Sequence, residues 1–331
     1  MKRSTTLALA IALGMSSAAA HAAFKPSVIF DMGGKFDKSF NQAAYTGAEA
    51  FKKSTGIGYG EFEITNEAQR EQAMLRMAQR GFNPIVAVGF QQAPIVEKVA
   101  KQFPKTQFVI IDAVVDLPNV RSVVFKEHEG SFLVGALAVM KSESDKVGFV
   151  GGMDIPLIRK FACGYEQGAK FESKDAEVIQ NMTGTTPAAW NNPTKGAELA
   201  KAQFDQGADV VYAAAGGTGV GVYQAAVDAG NYAIGVDSNQ NYLHPGVMLT
   251  SMVKRVDVAV QDAFMDAKDG KFTPGLQALG LKEQGVDWAL DDYNRELVTP
   301  EMEKRINAIR DDIISGKVVV HDYFSTNSCQ Y

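Results

Sequence analysis

Residues 30–42 of this chain read Phe-Asp-Met-Gly-Gly-Lys-Phe-Asp-Lys-Ser-Phe-Asn-Gln, and the rest of the sequence is organised around them. The apolar run Val28–Phe30 just before the turn is typical of a buried strand, and Gly33 and Gly34 allow a tight turn with positive φ. Asp37 and Ser39 are good N-caps for a helix whose apolar residues recur at helical spacing. In an open α/β sheet, this carboxyl end of a strand is where ligands bind.

The N-terminus has the pattern of a secretory signal peptide. Lys2 and Arg3 precede the apolar run Leu7–Met15, and small residues lead to Ala20-His21-Ala22, an A-x-A cleavage site. We expect residues 1–23 to be cleaved and the protein to be periplasmic. Because no cysteine lies at the cleavage site, we expect no lipid anchor.

Composition narrows the function classes. The chain has 331 residues, 46% of them hydrophobic and 21% charged, with a formal net charge of −5. That length favours two domains, and a mildly acidic chain without a basic patch is a poor binder of nucleic acid. The two cysteines, Cys163 and Cys329, form a disulfide or remain buried thiols, and an oxidising compartment favours the disulfide.

Strand-like and helix-like segments alternate twice along the chain, with the change near residues 126–130. This pattern predicts an α/β fold with two doubly wound parallel-sheet lobes that enclose a cleft. We expect the N-terminal lobe to hold residues 24–127 plus about 250–284, so that the strand-like run Val247–Val253 returns to it. The C-terminal lobe then holds 128–249 plus about 285–331. Periodicity does not place residues 270–298.

Three aspartates, Asp31, Asp112 and Asp237, each end a predicted strand. They are helix caps or acceptors for a ligand's hydroxyl donors, such as those of ribose. Lys254 ends the Val247–Val253 run and by default is solvated. The glycine-rich segment Ala213–Gly221 has no G-x-G-x-x-G register, which disfavours a nicotinamide enzyme.

Motifs for catalysis or metal binding are absent from the sequence, which has no H-E-x-x-H, C-x-x-C or G-x-S-x-G. We therefore expect no catalytic residues, no metal and no cofactor. Three aromatics, Phe36, Trp190 and Tyr212, lie at predicted strand or turn ends. Each belongs to the core or stacks on a flat ring of a ligand.

Together these motifs resemble the basic membrane protein family of ABC-transporter substrate-binding proteins, in its purine nucleoside receptor A-like group. The resemblance extends over the mature chain and is carried by Asp31–Gln42, Phe108–Asp112, Trp190–Gly196, Ala214–Gly219, Gly235–Ser238 and Lys254–Arg255. It implies a type I periplasmic-binding-protein fold with a three-stranded hinge. It also implies that a nucleoside, most simply a purine nucleoside, binds between the lobes and is delivered to an inner-membrane permease.

The resemblance also implies a set of ligand-binding residues: Asp31, Phe36, Asp37, Ser39, Asn41, Asp112, Trp190, Tyr212, Gly216, Gly217, Asp237 and Lys254. Asp31, Asn41 and Asp112 would contact the base. Phe36 would stack on one face of the base, and Tyr212, or Trp190 in its place, on the other. The Gly216–Gly217 loop, Asp237 and Lys254 would hold the ribose.

Other functions fit parts of this pattern. A sugar-binding protein of the same fold would also use carboxylates and aromatic platforms, and an exported nucleoside hydrolase would bind the same ligand. A receptor domain that hands its ligand to a sensor is a further alternative. We expect a monomeric transport protein without enzymatic activity, whose partners are a small-molecule nucleoside and a permease.

Overall fold

Two open sheets form the centres of two lobes. The structure, a computed structural model, describes residues 24–330, so the predicted signal peptide lies outside the described residues. In chain order the strands are β1 (Ser27–Phe30), β2 (Gly60–Glu63), β3 (Ile85–Ala87), β4 (Phe108–Ile111), β5 (Val120–Phe125), β6 (Lys146–Met153), β7 (Glu177–Gly184), β8 (Val210–Ala214), β9 (Tyr232–Asp237), β10 (Met248–Lys254), β11 (Gly275–Leu279) and β12 (Val286–Trp288).

The first sheet has the order β11-β5-β4-β3-β1-β2 and the second has β12-β10-β9-β8-β6-β7. Neighbouring strands are parallel except for β12, which pairs antiparallel with β10. Strands such as β4 are buried along their whole length, as expected for parallel sheets covered on both faces. The predicted α/β fold with two doubly wound lobes is confirmed.

Helices cover both faces of each sheet. They are α1 (Phe40–Thr55), α2 (Gln69–Gln79), α3 (Ala93–Gln102), α4 (Glu127–Lys141), α5 (Pro156–Glu172), α6 (Pro193–Asp205), α7 (Gly219–Ala229), α8 (Val256–Lys268) and α9 (Pro300–Ile314). The close packing of α4 on α5 depends on small residues, since a Cβ at Gly168 would lie 1.9 Å from the Phe132 carbonyl oxygen. No helix among residues 24–330 is both long and apolar enough to cross a membrane.

The chain passes between the lobes three times, after β5, after β10 and between β11 and β12. The prediction that Val247–Val253 returns to the first lobe is wrong, because β10 pairs with β9 and β12 in the second sheet. The chain returns to the first lobe one element later, where α8 packs on α1 and β11 pairs with β5. The segment that periodicity did not place, residues 270–298, contains β11 and β12.

A disulfide fastens the C-terminal end of the chain to α5. It joins Cys163 to Cys329, whose Cα atoms lie 5.2 Å apart. We call residues 321–330 the C-terminal tail. The disulfide holds this tail close to the point where the chain first crosses between the lobes.

Candidate functional site

The carboxyl ends of strands from both sheets meet at one cavity between the lobes. Asp31 follows β1, Asp112 follows β4, and Asp237 and Lys254 end β9 and β10. The cavity encloses about 70 Å³. Its lining is Asp31, Met32, Asp37, Phe40, Asn41, Gly89, Phe90, Asp112, Leu157, Ile158, Phe161, Trp190, Ala214, Gly216, Val236, Asp237 and Lys254.

Asp31 is fixed in the cavity wall by a buried ion pair. Arg70 Nη2 lies 2.9 Å from Asp31 Oδ1, which also accepts the Met32 N–H at 2.8 Å. Burial raises the pKa of Asp31, and the Arg70 charge opposes that rise. Because a guanidinium stays protonated, the ionised form of Asp31 is the one that balances the buried charge of Arg70. Arg70 lies on the polar helix α2, where no motif marks it as a site residue.

Asp37 lines the cavity, but its carboxylate accepts hydrogen bonds from N–H groups at the start of α1. Oδ1 accepts hydrogen bonds from the backbone N–H groups of Ser39 and Gln42, at 2.8 and 3.1 Å. Oδ2 accepts from the backbone and side-chain nitrogens of Asn41, at 3.0 and 3.2 Å. Asn41 in turn accepts the Asp31 N–H at 2.9 Å. Asp37 and Asn41 therefore shape the glycine turn around Asp31.

Hydrogen bonds between the start of α1 and the loop after β9 join the lobes directly. Ser39 Oγ donates to Asp237 Oδ2 at 2.5 Å, and Ser238 Oγ donates to the Ser39 carbonyl at 2.8 Å. Gln240 Nε2 donates to the Lys38 carbonyl at 2.9 Å. The cleft is thus closed in this arrangement, and Ser39 belongs to the closure contact.

Lys254 is buried, with 2% of its surface exposed, so the default expectation of a solvated lysine is wrong. Its Nζ lies 2.7 Å from Asp112 Oδ2 and 2.9 Å from Glu127 Oε1. The ring of Phe125 lies 5.0 Å from the same Nζ, within cation–π range. Since Asp112 belongs to the first lobe and Lys254 to the second, this ion pair also crosses the cleft.

The buried carboxylates differ in their titration. Burial raises the pKa of Asp112 to about 6 despite the nearby Lys254, and it raises that of Asp237 to about 6 as well. For Glu127, burial is outweighed by Lys254 and Lys160, which lower its pKa to about 2. Asp112 Oδ1 is buried and accepts no hydrogen bond from the residues that the structure describes. That oxygen is an acceptor in the cavity wall ready for a ligand donor.

Two of the three candidate aromatics do not reach the cavity. Phe36 is 60% exposed and packs edge-on against Tyr45, with ring centroids 5.3 Å apart. Tyr212 is fully buried in the second lobe, 5.4 Å from the Phe149 ring centroid. In this arrangement neither ring lines the cavity. The stacking roles implied for Phe36 and Tyr212 are therefore not supported by the geometry.

Trp190 does line the cavity, and Phe40, Phe90 and Phe161 line it too. Phe40 is the first residue of α1, and Phe90 lies in the turn between β3 and α3. Both lie where a strand connects to the next helix, which is a sequence signal for the cavity. Phe161 lies within α5 and gave no such signal. Trp190 packs on Gly152, where a Cβ would come within 2.1 Å of the indole ring.

The glycine loop after β8 supports the Trp190 segment. Gly216 has φ of 57° and lines the cavity, whereas Gly217 is buried and is not among the lining residues. Thr218 Oγ1 donates to the Ala189 carbonyl and accepts the Asn192 N–H, both at 2.7 Å. The loop therefore fixes the backbone on either side of Trp190.

Two α/β lobes, three crossings and a polar and aromatic cavity between strand ends define a two-lobed solute-binding protein. The chain belongs to the PnrA-like ABC transporter substrate-binding protein family, Bmp, whose model matches residues 24–322. This is a family of solute-binding proteins of ABC transporters and not of enzymes. The resemblance seen in the sequence is confirmed.

The chain is 32% identical to "ABC transporter nucleoside-binding protein BmpA" of Lactococcus lactis, over 89% of this chain and 88% of that protein. It is 35% identical to an uncharacterized lipoprotein of Pyrococcus furiosus, over 81% of this chain and 70% of that protein. An ABC transporter solute-binding protein from Aeropyrum pernix superposes with a TM-score of 0.83 and 28% identity, covering 90% of this chain and 94% of that chain. Because one relative is called a lipoprotein, the absence of a lipid anchor here stays a prediction.

Proposed function

We propose that this chain binds a nucleoside, specifically a purine nucleoside, in the interlobe cavity and delivers it to an ABC permease as a monomeric periplasmic protein. The observation that carries the proposal is the pairing of acceptor-only carboxylates with aromatic walls in one cavity. Ribose presents hydroxyl donors and a base presents a flat ring, so one nucleoside satisfies both features. The printed name of the Lactococcus relative supports the same ligand class.

Carboxylates from opposite lobes are the proposed ribose contacts. Asp112 offers its unpartnered Oδ1, and Asp237 offers the carboxylate oxygen that Ser39 does not occupy. Asp31 would accept a donor from the base edge. Trp190 and Phe40, both in the cavity lining, would flank the base in place of Phe36 and Tyr212.

Lys254 has a different proposed role from the one implied by the family. Its Nζ is taken up by Asp112 and Glu127, so it would act as their counter-charge and not as a direct ribose donor. This arrangement lets Asp112 remain buried next to the ligand. It also leaves the cavity without a free cation among its described lining, which disfavours the phosphate of a nucleotide.

Binding requires the lobes to separate and close again. The lobes already touch across the cleft through Ser39, Ser238 and Gln240. A nucleoside would therefore enter an open form and stabilise the closed one by contacting both lobes. We place the hinge at the three crossings, with residues 24–125 and 256–279 in one lobe and 127–254 and 286–330 in the other.

A binding screen on ligand-stripped protein tests the proposal. Calorimetry and thermal shift would be run with purine and pyrimidine nucleosides, nucleoside monophosphates, free bases and ribose. At about 100 times its Kd a ligand stabilises the folded protein by about 2.7 kcal/mol, which thermal shift detects readily. Stabilisation by purine nucleosides, but not by bases or ribose alone, supports the proposal. Stabilisation by free ribose alone would instead identify a sugar-binding protein.

The Asp237→Ala variant tests the site. Loss of a carboxylate acceptor from the cavity should weaken purine nucleoside binding at least about tenfold, since hydrogen bonds to charged groups contribute about 1.5–3 kcal/mol. Asp205→Ala is the matched control, because Asp205 pairs with Lys201 on an exposed helix face. Equal affinities of the two variants would exclude Asp237 as a ligand contact.

A further inference from the structure

The C-terminal tail is docked on α5 by covalent and polar contacts. Besides the Cys163–Cys329 disulfide, Gln167 Oε1 accepts the His321 N–H at 2.8 Å. Gln167 Nε2 donates to the His321 carbonyl at 3.0 Å. The family model ends at residue 322, so most of this tail lies beyond what the family description covers.

Docking places two tail side chains against one buried lysine. Asp322 Oδ2 lies 3.6 Å from Lys160 Nζ, and the Phe324 ring centroid lies 5.3 Å from the same nitrogen. Asp322 Oδ2 is also 3.9 Å from His128 Nδ1. Lys160 itself is 5% exposed, so the tail is part of what shields its charge from water.

Lys160 in turn holds the first crossing between the lobes. Its Nζ donates to the carbonyl of Phe125, the last residue of β5, at 2.7 Å. The same Nζ lies 3.0 Å from Glu127 Oε2, while Glu127 Oε1 pairs with Lys254. A continuous row of charges therefore runs from the tail through the crossing to Asp112 in the cavity wall.

A second cavity of about 360 Å³ lies along this row, between the tail and the crossing. Its lining includes Asp322 and Phe324 from the tail, Glu127 and Lys160 from the charge row, and Asp112, which it shares with the ligand cavity. Without the tail, this side of the crossing would be open to water. Ion pairs are weaker in water than in a shielded site.

We propose that the C-terminal tail braces the hinge, with Asp322 as the positioning residue. The disulfide keeps Asp322 in contact with Lys160. Lys160 in turn holds Phe125 and Glu127 in place. From that position Glu127 holds Lys254 against Asp112. The brace stabilises the closed lobes and thereby raises ligand affinity without touching the ligand. The affinity part of this inference rests on the proposed function, whereas the hinge part does not.

Hydrogen exchange of the crossing segment 125–129 tests the hinge part without any ligand. The Lys126 N–H is a useful reporter because it bonds the Leu279 carbonyl at 2.9 Å, which joins the first and third crossings. Asp322→Asn removes the charge but keeps an oxygen that can accept the Phe324 N–H. We expect exchange about threefold to fivefold faster in this segment, near the upper end of what a partly exposed ion pair contributes.

Three companion variants make the result specific. Asp322→Glu should restore slow exchange, and the double variant Cys163→Ser with Cys329→Ser should accelerate exchange as Asp322→Asn does. Asp312→Asn is the control, because Asp312 pairs with the exposed Lys317 away from the hinge. Unchanged exchange at 125–129 in Asp322→Asn would overturn the brace. The brace would also be overturned if hydrogen exchange became faster evenly over the second lobe and Asp322→Glu did not restore slow exchange.

Nucleoside affinity completes the test. Asp322→Asn should raise the Kd by the same threefold to fivefold, with the melting temperature of the apo protein nearly unchanged. An unaltered Kd alongside faster exchange would overturn the link from hinge to affinity. If the wild type binds no nucleoside while the exchange pattern holds, the proposed ligand fails and the brace stands.

Discussion

Replacing Lys254 by methionine should destabilise the protein strongly, because it removes the one charge shared by Asp112 and Glu127. Methionine keeps most of the stem's length and packing, so the change isolates the ammonium group. Lys254 is 2% exposed, and both carboxylates lie within 2.9 Å of its Nζ. The variant therefore leaves two buried carboxylates facing each other, with Lys160 still next to Glu127.

Breaking a buried ion pair by removing one partner costs about 3–5 kcal/mol. Unfolding entropy is about 2.1 cal/mol/K per residue, so in a chain of 331 residues each kcal/mol lowers the melting temperature by about 1.5 °C, and we expect a drop of about 4–8 °C at pH 7. The pKa of Asp112, already raised to about 6, should rise further without Lys254. Protonation of Asp112 then relieves the repulsion, so the deficit should shrink as the pH falls from 7 to 5.

Thermal unfolding of the apo variants at pH 5, 6 and 7 is the assay. Lys146→Met is the matched control, because Lys146 pairs with Glu177 at 3.0 Å but is 40% exposed at its side chain. Exposed pairs contribute about 0–1 kcal/mol, so this control should stay within a few degrees of the wild type. A Lys254→Met melting temperature no lower than that of the control would refute the reasoning, as would a deficit that grows towards pH 5.

Three further outcomes follow from the geometry. Nucleoside affinity should be constant above pH 7 and fall as the pH drops through about 6, because protonation of Asp112 and Asp237 removes hydrogen-bond acceptors. Calorimetry between pH 5 and 8 would check this. Ser238→Ala removes one cross-cleft hydrogen bond and should raise the Kd up to about tenfold, from about 0.5–1.5 kcal/mol per bond, again by calorimetry. Gly168→Ala places a methyl group against an α4 carbonyl and should lower the free energy of unfolding by about 1–3 kcal/mol. The control Gly58→Ala, where a Cβ would meet no atom within 4 Å, should lower it by less than half of that. Thermal unfolding of the two variants checks this difference.

Periodicity and composition were sufficient to predict the two lobes, since buried parallel strands and amphipathic helices leave clear patterns. They did not predict where the chain crosses between the lobes. The run at 247–253 is apolar and suits either sheet, and its place is decided by pairing with β9 and β12. Strand β11 is mostly exposed and β12 has only three residues, so neither leaves a hydrophobic period. Long-range pairing, which a local pattern does not contain, determined these elements.

The site could be predicted where a residue's role follows from its position at a strand end. Asp31, Asp112 and Asp237 all lie at the cavity for that reason. The rule has no information on side-chain direction, and Tyr212 within β8 faces the core. It also misses partners that are distant in sequence, such as Arg70 for Asp31.

The cross-cleft contacts contribute to the affinity of such a site through the closed form. Direct hydrogen bonds across the cleft, at about 0.5–1.5 kcal/mol each, together with the Asp112–Lys254 pair, stabilise the closed form before any ligand contact is counted. A closed form that is already partly populated raises apparent affinity in proportion to its population. The ligand then needs to supply only the remaining difference between open and closed forms. Because one of these bonds uses Asp237, a ribose hydroxyl at the same carboxylate would bind beside an existing closure contact and couple recognition directly to hinge closure.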